Sequence, residues 1–285
     1  RRGVFGPRDH QIIVKIVMNI TLPAAVITSC AGLKMTSALL VVVLVGLGMN
    51  ILLVFLGWLY SRKGSSANRA FCMLNFCGYN IGAFAMPYLQ GFLGPAGVVI
   101  ACMFDCGNAA VCTGGSYAVT SAVVQRGAGE PVTAGSILRK LFSSTSFDTY
   151  MVMLLLSILG VGVPPVVLSL IAPAAAANPA VAMLLIGLML QWDSKPGYLR
   201  SAVTVVVVRN AVAVAASLLF FFCTPLPLEI RQVLVIILFA PISVVATAYT
   251  EKCGGDAGLA GFTNSLSILV SIGIITMLAV AMFGV

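Results

Sequence analysis

Long apolar runs, separated by short polar segments, follow one another along this chain of 285 residues. We count nine of them, from Gln11 to Val285. We predict the fifth at Phe147–Ala172, closing at Pro164-Pro165 and Pro173, and the sixth at Asn178–Leu190. A helix needs about 20 apolar residues to cross the hydrocarbon core of a bilayer. Because 60% of the residues are hydrophobic and 8% are charged, a soluble domain would lack the polar surface that it needs. The sequence therefore predicts an all-α polytopic protein of the lipid bilayer.

Helix-breaking residues interrupt two of the predicted spans. The third span, about Ala70–Gly91, contains Asn80 and Pro87, and the eighth, about Leu234–Tyr249, contains Pro241. Broken backbone at membrane depth is tolerated only where protein or a watery cavity surrounds it. Paired breaks at corresponding positions of two halves are typical of a transporter's binding site.

A polar stretch at 125–146 divides the chain into two halves. We predict a first repeat at 1–124, a central loop at 125–146 with a short surface helix in its middle, and a second repeat at 147–285. The first half holds four spans and the second five. An inverted repeat of five-helix units would therefore lack one helix ahead of Arg1, and its two broken helices would cross at mid-membrane.

Basic residues are distributed unevenly among the predicted loops. With Arg1 placed in the cytoplasm, the inner loops collect twelve lysines and arginines and the outer loops two. Positive charge is enriched on the cytoplasmic side of membrane proteins, so the formal charge of +8 reports orientation. We predict a multi-pass protein of the inner membrane with a cytoplasmic central loop, and no nucleic-acid partner.

The residues needed for metal or enzyme chemistry are not grouped in this sequence. Seven of the eight cysteines lie in or beside apolar runs, where thiols act as small hydrophobic groups, and the one histidine is His10. We find no nucleophile elbow, zinc-binding His-Glu motif or Walker loop. We therefore expect no metal, no cofactor, no disulfide, no enzymatic activity and no ATP-driven transport.

Several short motifs occur in a characteristic order, each placing a polar or helix-breaking residue inside or just after an apolar span. They are Asn19-Ile-Thr-Leu-Pro23-Ala-Ala, Asn80 with Pro87 seven residues later, Leu185-Ile-Gly187, Arg209, Pro241, Ala248-Tyr249 and Gly255-Asp256. Over essentially the whole chain this pattern resembles the auxin efflux carrier family, the prokaryotic transporters related to the plant PIN-formed auxin carriers. Ala85 stands where that family often has glycine.

The resemblance implies a fold of ten helices in two inverted repeats of five, in a prokaryotic homodimer. The broken fourth and ninth helices of the family would be the third and eighth spans here, crossing at the substrate site. Arg1-Arg2-Gly3 resembles the junction that follows the family's first helix.

A broken helix exposes unpaired N–H groups on one side and unpaired carbonyl groups on the other, so the crossing offers positive partial charge to an anion and oxygens to a cation. Our substrate-binding candidates are Asn80, Pro87, Pro241, Arg209 and Asn19. Asn80 either binds a carboxylate or caps the broken backbone, and each proline either shapes the site or is an ordinary kink. Asn19 either lines the cavity or bonds between helices.

Two charged residues within the spans have two or more possible roles. Arg209 either attracts an anionic substrate or is a static strut bonded to carbonyls and to Asp105. Asp105 is the ion-coupling candidate: it carries a proton, partners Arg209, or lies near enough to the surface to stay solvated. Asn50 and Asn108 either line the cavity or hydrogen-bond between helices.

These features together predict a secondary active transporter or facilitator of a small organic anion. The substrate would be a mono- or dicarboxylate such as malate or malonate, or an auxin-like acid, carried by alternating access at the crossing of the proline-broken helices. A proton or sodium gradient, or the membrane potential, would drive it. The alternative is a non-transporting receptor or sensor on the same fold, although the short loops and the lack of an attached signalling domain argue against it.

Overall fold

The computed structural model describes residues 9–32, 35–124, 133–190 and 195–284. Within these ranges the secondary structure is helical, apart from one isolated β-bridge, which confirms the all-α prediction. The α-helices are α1 Asp9–Ile16, α2 Leu22–Cys30, α3 Ser37–Ser61, α4 Ser66–Phe76, α5 Met86–Ala110, α6 Ser116–Val124, α7 Ala134–Leu141, α8 Thr145–Leu159, α9 Pro165–Met189, α10 Tyr198–Cys223, α11 Leu228–Leu238, α12 Val245–Lys252 and α13 Ala257–Phe283. Three π-helical turns, Val17–Thr21, Ile81–Ala85 and Val111–Gly115, adjoin them.

Six helical stretches in the described part of the chain are long and apolar enough to cross a bilayer. One of them, Ile81–Val124, has 44 residues and would be about 66 Å long if straight. It folds back at Gly94, whose φ of 58° lies in the left-handed region. A Cβ on Gly97 would lie 3.1 Å from the carbonyl oxygen of Leu89, whereas residues eight apart in a straight helix are separated by about 12 Å. This stretch therefore supplies parts of two spans.

The described helices accommodate all nine predicted spans. The first is α1 with α2, the second α3, the fifth α8, the sixth α9, the seventh α10 and the ninth α13. The third consists of α4 and the start of the stretch at Ile81, and the fourth of the remainder of α5 with α6. The eighth consists of α11 and α12. Both predicted broken spans are thus broken in the structure.

The predicted bounds of the fifth and sixth spans are wrong. Helix α8 ends at Leu159 because Gly160 adopts the left-handed conformation (φ 67°) that closes a helix. Helix α9 begins at Pro165, in the first turn, where proline's missing N–H is not needed. Of the prolines that we predicted to close the fifth span, Pro165 begins α9, whereas Pro173 lies inside it, as membrane helices tolerate.

The central loop is described only in part. Residues 125–132 lie outside the described residues, and α7 (Ala134–Leu141) occupies the region where we predicted a short helix. The Arg1-Arg2-Gly3 junction and the basic residues Arg8, Lys34 and Arg126 also lie outside the described residues.

Glycines set the close packing of the second span against the fourth. Gly46 faces the main chain of Phe104, and Gly107 faces the main chain of Val43, so that a Cβ on either glycine would overlap a carbonyl oxygen. Small residues let membrane helices approach until their backbones touch. On the outer faces of the helices, large apolar side chains such as Leu170, Phe222 and Met277 are exposed, as expected of surfaces in contact with lipid.

Candidate functional site

The two broken helices meet at their breaks. The main-chain N–H of Asn80 donates to the carbonyl of Pro241 (2.9 Å), and that of Ser243 donates to the carbonyl of Gly78 (3.3 Å). These bonds flank the antiparallel bridge between Tyr79 and Ile242. The crossing that we predicted is therefore present, with Asn80 and Pro241 in direct contact.

Glycine is required at the first break for conformational and steric reasons. Gly78 has a φ of 80°, and a Cβ there would lie 3.1 Å from the Cβ of Ser243 on the other broken helix. A side chain at this position would both strain the backbone and separate the two breaks.

Two asparagines hold the first break from neighbouring helices. The N–H of Gly78 donates to Oδ1 of Asn50 (2.7 Å), and the N–H of Tyr79 donates to Oδ1 of Asn108 (3.1 Å). The Nδ2 group of Asn108 donates to the carbonyl of Tyr79 (2.9 Å), and Nδ2 of Asn50 donates to Oδ1 of Asn108 (3.1 Å). These amides satisfy buried main-chain groups that the broken helix cannot pair by itself.

Arg209 holds the carbonyl ends of both broken helices. Its Nη1 group donates to the carbonyl of Phe76, at the end of α4, and its Nη2 group donates to the carbonyl of Ala240, just beyond α11 (3.2 Å). Its guanidinium also lies 5.0 Å from the centre of the Tyr79 ring. A cation at these ends is favourable because helix C-termini carry negative partial charge. The geometry is that of a strut bonded to carbonyls, and Asp105 takes no part in it.

The opposite ends of the broken helices line a cavity of about 360 Å³. Its walls include residues 80–83 and 243–245, where the half-helices at Ile81 and Val245 begin. The first hydrogen bonds of these half-helices run from Ala85 N–H to the carbonyl of Asn80 (3.2 Å) and from Ala246 N–H to the carbonyl of Ser243 (3.1 Å). The N–H groups that precede them have no partner within their helix, so positive partial charge converges on the cavity from both halves.

Asn80 precedes the first half-helix and lines this cavity. It is buried, and its side chain makes no capping hydrogen bond to the helix that it precedes. Asn80 therefore does not cap this half-helix, and its contact with a ligand stays a prediction.

One carboxylate, Asp105, lies among the described residues that line the cavity, and no lysine or arginine does. Its Oδ1 atom accepts from Nδ2 of Asn108 (2.8 Å), and its Oδ2 atom accepts from the hydroxyl of Tyr150 on α8 (3.1 Å). The remaining wall is mostly apolar, with Phe147 and Leu185 among its side chains. The site therefore combines helix N-termini and neutral polar groups with one acidic side chain.

The first part of the sequence matches a known family. Residues 1–126 fit the family model described as membrane transport protein. This part of the chain is therefore similar to that family. The match confirms the resemblance to auxin efflux carriers over these residues and indicates that the protein is a membrane transporter. No curated protein matches the sequence.

The matched region of the transporter contains Asn80, Asp105 and Asn108, whereas the second break lies beyond it. Two further candidates in this region are placed outside the cavity lining. Asn19 is exposed, where its amide donates to the carbonyl of Lys15 (2.9 Å) and accepts from Thr145 of α8 (2.7 Å). It connects two spans, as in the interhelical role that we considered.

Pro87 is buried near the start of α5, just after the π-helical turn Ile81–Ala85. Pro23 follows the turn Val17–Thr21 in the same way. Proline lacks an N–H and its ring crowds the carbonyl four residues earlier, which accounts for a widened turn at each place. Pro87 thus shapes the half-helix that begins the transporter's cavity wall.

Sequence reasoning missed Tyr150, Ser243, Thr113 and Ser146, all of which line the cavity of the transporter. An aromatic residue near the start of a membrane span is commonly an interfacial anchor, so Tyr150 gave no separate signal. Serine and threonine side chains commonly hydrogen-bond to their own helix, so Ser243, Thr113 and Ser146 gave no separate signal in the sequence. Only the meeting of distant helices places them together.

Proposed function

We propose that this transporter is a secondary active transporter or facilitator that carries a small organic anion through the crossing by alternating access. One observation supports this above the others: the N-terminal ends of two half-helices, one from each half of the chain, line the same cavity. Free N–H groups and the helix dipole make such ends anion sites. The substrate's carboxylate would accept hydrogen bonds from the N–H groups near Ile81 and Val244 and from the amide of Asn80.

Binding at this site should be weak enough to allow release. Two partly buried helix ends contribute about 2–4 kcal/mol toward binding an anion. That energy alone corresponds to a dissociation constant no tighter than about 1 mM. Hydrogen bonds from Asn80 would tighten it, and the lack of a lysine or arginine among the described lining residues would keep the substrate exchangeable.

The size of the cavity fits a small acid. Its volume of about 360 Å³ is near the lower end of the roughly 300–1,000 Å³ typical of small-molecule sites. Malonate, malate and an auxin-like acid are all candidates, because the cavity offers both a polar end and an apolar wall with Phe147. The second candidate function, a receptor or sensor without transport, would use the same cavity and bind without carrying substrate.

We also propose an arrangement for the whole protein. Two inverted repeats at 1–124 and 147–285, joined by a cytoplasmic loop at 125–146, would place the breaks at mid-membrane. The excess of basic residues in the predicted inner loops supports this orientation in an inner membrane. A homodimer and coupling to H⁺ or Na⁺ belong to the same proposal.

Uptake by proteoliposomes tests the function. We expect the wild-type protein to take up radiolabelled malonate, malate or indole-3-acetate, and Asn80→Ala to reduce uptake about 10- to 100-fold, because a hydrogen bond to a charged group is lost. Asn210→Ala is the matched control, since the Asn210 amide donates to its own helix at Val206 (2.7 Å) and does not line the cavity. Binding of an anion without uptake would favour the receptor. Folded wild-type protein that neither binds nor transports any of these acids would refute the proposal.

A further inference from the structure

The cavity contains a charge of the wrong sign for an anion. Asp105 is the one ionisable carboxylic acid among the described lining residues, and the bound substrate would share the cavity with it. A cavity of 360 Å³ is roughly 9 Å across if spherical, so two negative charges would lie about 7 Å apart, which weakens binding on the order of 50-fold at an effective dielectric constant of about 20. An anion therefore binds far better once Asp105 carries a proton.

The hydrogen bonds of Asp105 determine where that proton goes. Oδ1 accepts from the Nδ2 group of Asn108 (2.8 Å), and an amide N–H₂ group cannot accept in return. Oδ2 faces the hydroxyl of Tyr150 (3.1 Å), and a hydroxyl can both donate and accept. The proton must therefore reside on Oδ2, on the side of Tyr150.

Protonation at Oδ2 reverses the hydrogen bond to Tyr150. In the ionised state the Tyr150 hydroxyl donates to the carboxylate. In the protonated state the carboxylic acid donates to the oxygen of Tyr150, so the hydrogen of Tyr150 is released to another acceptor. Tyr150 lines the cavity and its side chain is otherwise enclosed, at 2% exposure, with the sulfur of Met86 (3.9 Å) as its other hydrogen-bond partner in the structure. A carboxylate in the cavity is the stronger acceptor.

We propose that the transporter carries one proton on Asp105 with each anion, and that this proton converts Tyr150 from a donor to Asp105 into a donor to the substrate. The inference rests on the proposed function, since it names the coupling ion of the same site. Proton uptake would thus remove the repelling charge and supply a hydrogen bond in one step. Asn108 is a positioning residue in this scheme, because it holds Oδ1 and also the main chain of Tyr79 at the first break.

Among the described residues that line the cavity, Asp105 is the one acid that could carry the proton. The other titratable groups near it are thiols and phenols on its own helix and on neighbouring ones: Cys102, Cys106, Cys112, Tyr150, Tyr79 and Cys30. None of these carries positive charge that would stabilise an ionised Asp105. Arg209 lies at the opposite ends of the broken helices, and Asp148 of α8 does not line the cavity.

Proteoliposomes loaded with a pH-sensitive dye test the coupling. We expect an acidic exterior to accelerate uptake of radiolabelled malonate, and uptake to acidify the lumen beyond protein-free vesicles. Asp105→Asn should take up malonate at a rate independent of pH and without acidifying the lumen. Tyr150→Phe should keep the proton flux but raise the KM for malonate about 10-fold, since it loses one hydrogen bond to a charged group. Asp256→Asn, at a carboxylate in the loop before α13, is the control and should behave as wild type.

The outcomes separate this inference from the function on which it rests. No uptake by the wild type at any pH would refute the anion-transport proposal itself. Uptake by the wild type without luminal acidification would overturn proton coupling alone, whether or not Asp105→Asn folds. Uptake accelerated by a sodium gradient at equal pH on both sides, with no effect of a pH gradient, would assign the coupling to sodium instead. An unchanged KM in folded Tyr150→Phe would remove Tyr150 from the mechanism.

Discussion

The two broken helices contact each other at their breaks, but different types of side chain stabilise the two breaks. At the first break, the amides of Asn50 and Asn108 pair with the main chain of Gly78 and Tyr79. At the second, Arg209 holds the carbonyl of Ala240, and the hydroxyl of Ser267 accepts from the N–H of Ile242 (3.2 Å). A carboxamide side chain both donates and accepts hydrogen bonds, whereas a guanidinium only donates them and stays charged.

This difference separates a responsive break from a fixed one. Asn108 connects the first break to Asp105, and through it to Tyr150 on another span, so a change of charge at Asp105 would reach the main chain of the crossing. Arg209 bridges the carbonyl ends of α4 and α11, and its charge does not vary with pH. We infer that Arg209 keeps the two breaks together while the first break responds to the contents of the cavity.

Removing the fixed element should have the largest effect. Arg209→Ala leaves the carbonyls of Phe76 and Ala240 without their partner in a buried site, and orphaned carbonyls cost about 1–3 kcal/mol each. We expect a loss of about 3 kcal/mol or more in the free energy of unfolding, and little folded protein. Thermal unfolding of the detergent-purified protein, monitored by size-exclusion chromatography, measures the loss of stability.

The matched control is Arg200→Ala, since Arg200 is exposed on the same helix α10 and should melt as wild type. Arg209→Lys should lie between the two, because an ammonium group cannot span both carbonyls as the planar guanidinium does. A folded Arg209→Ala variant of wild-type stability that has lost only anion uptake would contradict the strut and restore the substrate-attracting role.

The second prediction compares the side chains that hold the two breaks directly. Asn108→Ala removes the partners of both main-chain groups of Tyr79, so we expect a loss of about 2–3 kcal/mol in stability. Ser267→Ala removes one acceptor, that of the Ile242 N–H, and we expect about 1 kcal/mol. Of the two variants, only Asn108→Ala should also alter the pH dependence of uptake, because Asn108, unlike Ser267, hydrogen-bonds to Asp105.

Controls for this comparison come from side chains that bond within their own helix. Asn210→Ala removes an amide that bonds to the carbonyl of Val206, and Ser169→Ala removes a hydroxyl that bonds to the carbonyl of Val166. Both bonds lie within one helix, so neither variant should alter stability or uptake much. Equal losses of stability in Asn108→Ala and Ser267→Ala, with the same pH dependence of uptake, would abolish the distinction between the two breaks.

Much of the fold could be predicted from the sequence because membrane burial leaves few alternatives. The nine spans followed from apolar runs, and the breaks followed from Asn80, Pro87 and Pro241 standing inside two of them. The crossing of the two broken helices, where Asn80 contacts Pro241, followed from the paired positions of the breaks. The helix boundaries could not be predicted from proline alone, since proline can either begin a helix or lie within one: Pro165 begins α9, and Pro173 lies inside it.

The site could be predicted only where local pattern decided it. The sequence indicated that Arg209 needs a partner, but whether that partner is Asp105 or a carbonyl depends on which helix faces align. The structure gives Arg209 two carbonyls and gives Asp105 an amide and a phenol from Asn108 and Tyr150. No spacing along the chain connects Tyr150 to Asp105, because the contact arises from the packing of distant spans.

The smallest effect on stability should come from Asp256, a carboxylate in the loop before α13. It provides a comparison with Asp105, which lies within the spans. Asp256 caps α13, the helix that carries Ser267, and its side chain accepts from Leu259 N–H (3.0 Å) and from the Tyr198 hydroxyl (2.6 Å). The bond from Tyr198 holds the pKa of Asp256 below its ordinary value. Its stabilising contribution is therefore fully present above the unfolded pKa of about 4 and is lost as the pH falls through the lower folded value.

Between pH 5 and 8 we thus expect no change in melting temperature from Asp256, and a small decrease only below about pH 4. Tyr198→Phe should flatten that decrease, because without the phenol the pKa of Asp256 moves back toward its ordinary value. Melting curves of the two proteins at pH 3 to 7 measure the effect. If Asp256→Asn instead changed anion uptake between pH 5 and 8, the second half would contain a responsive group of its own, and the contrast between a fixed and a responsive break would fail.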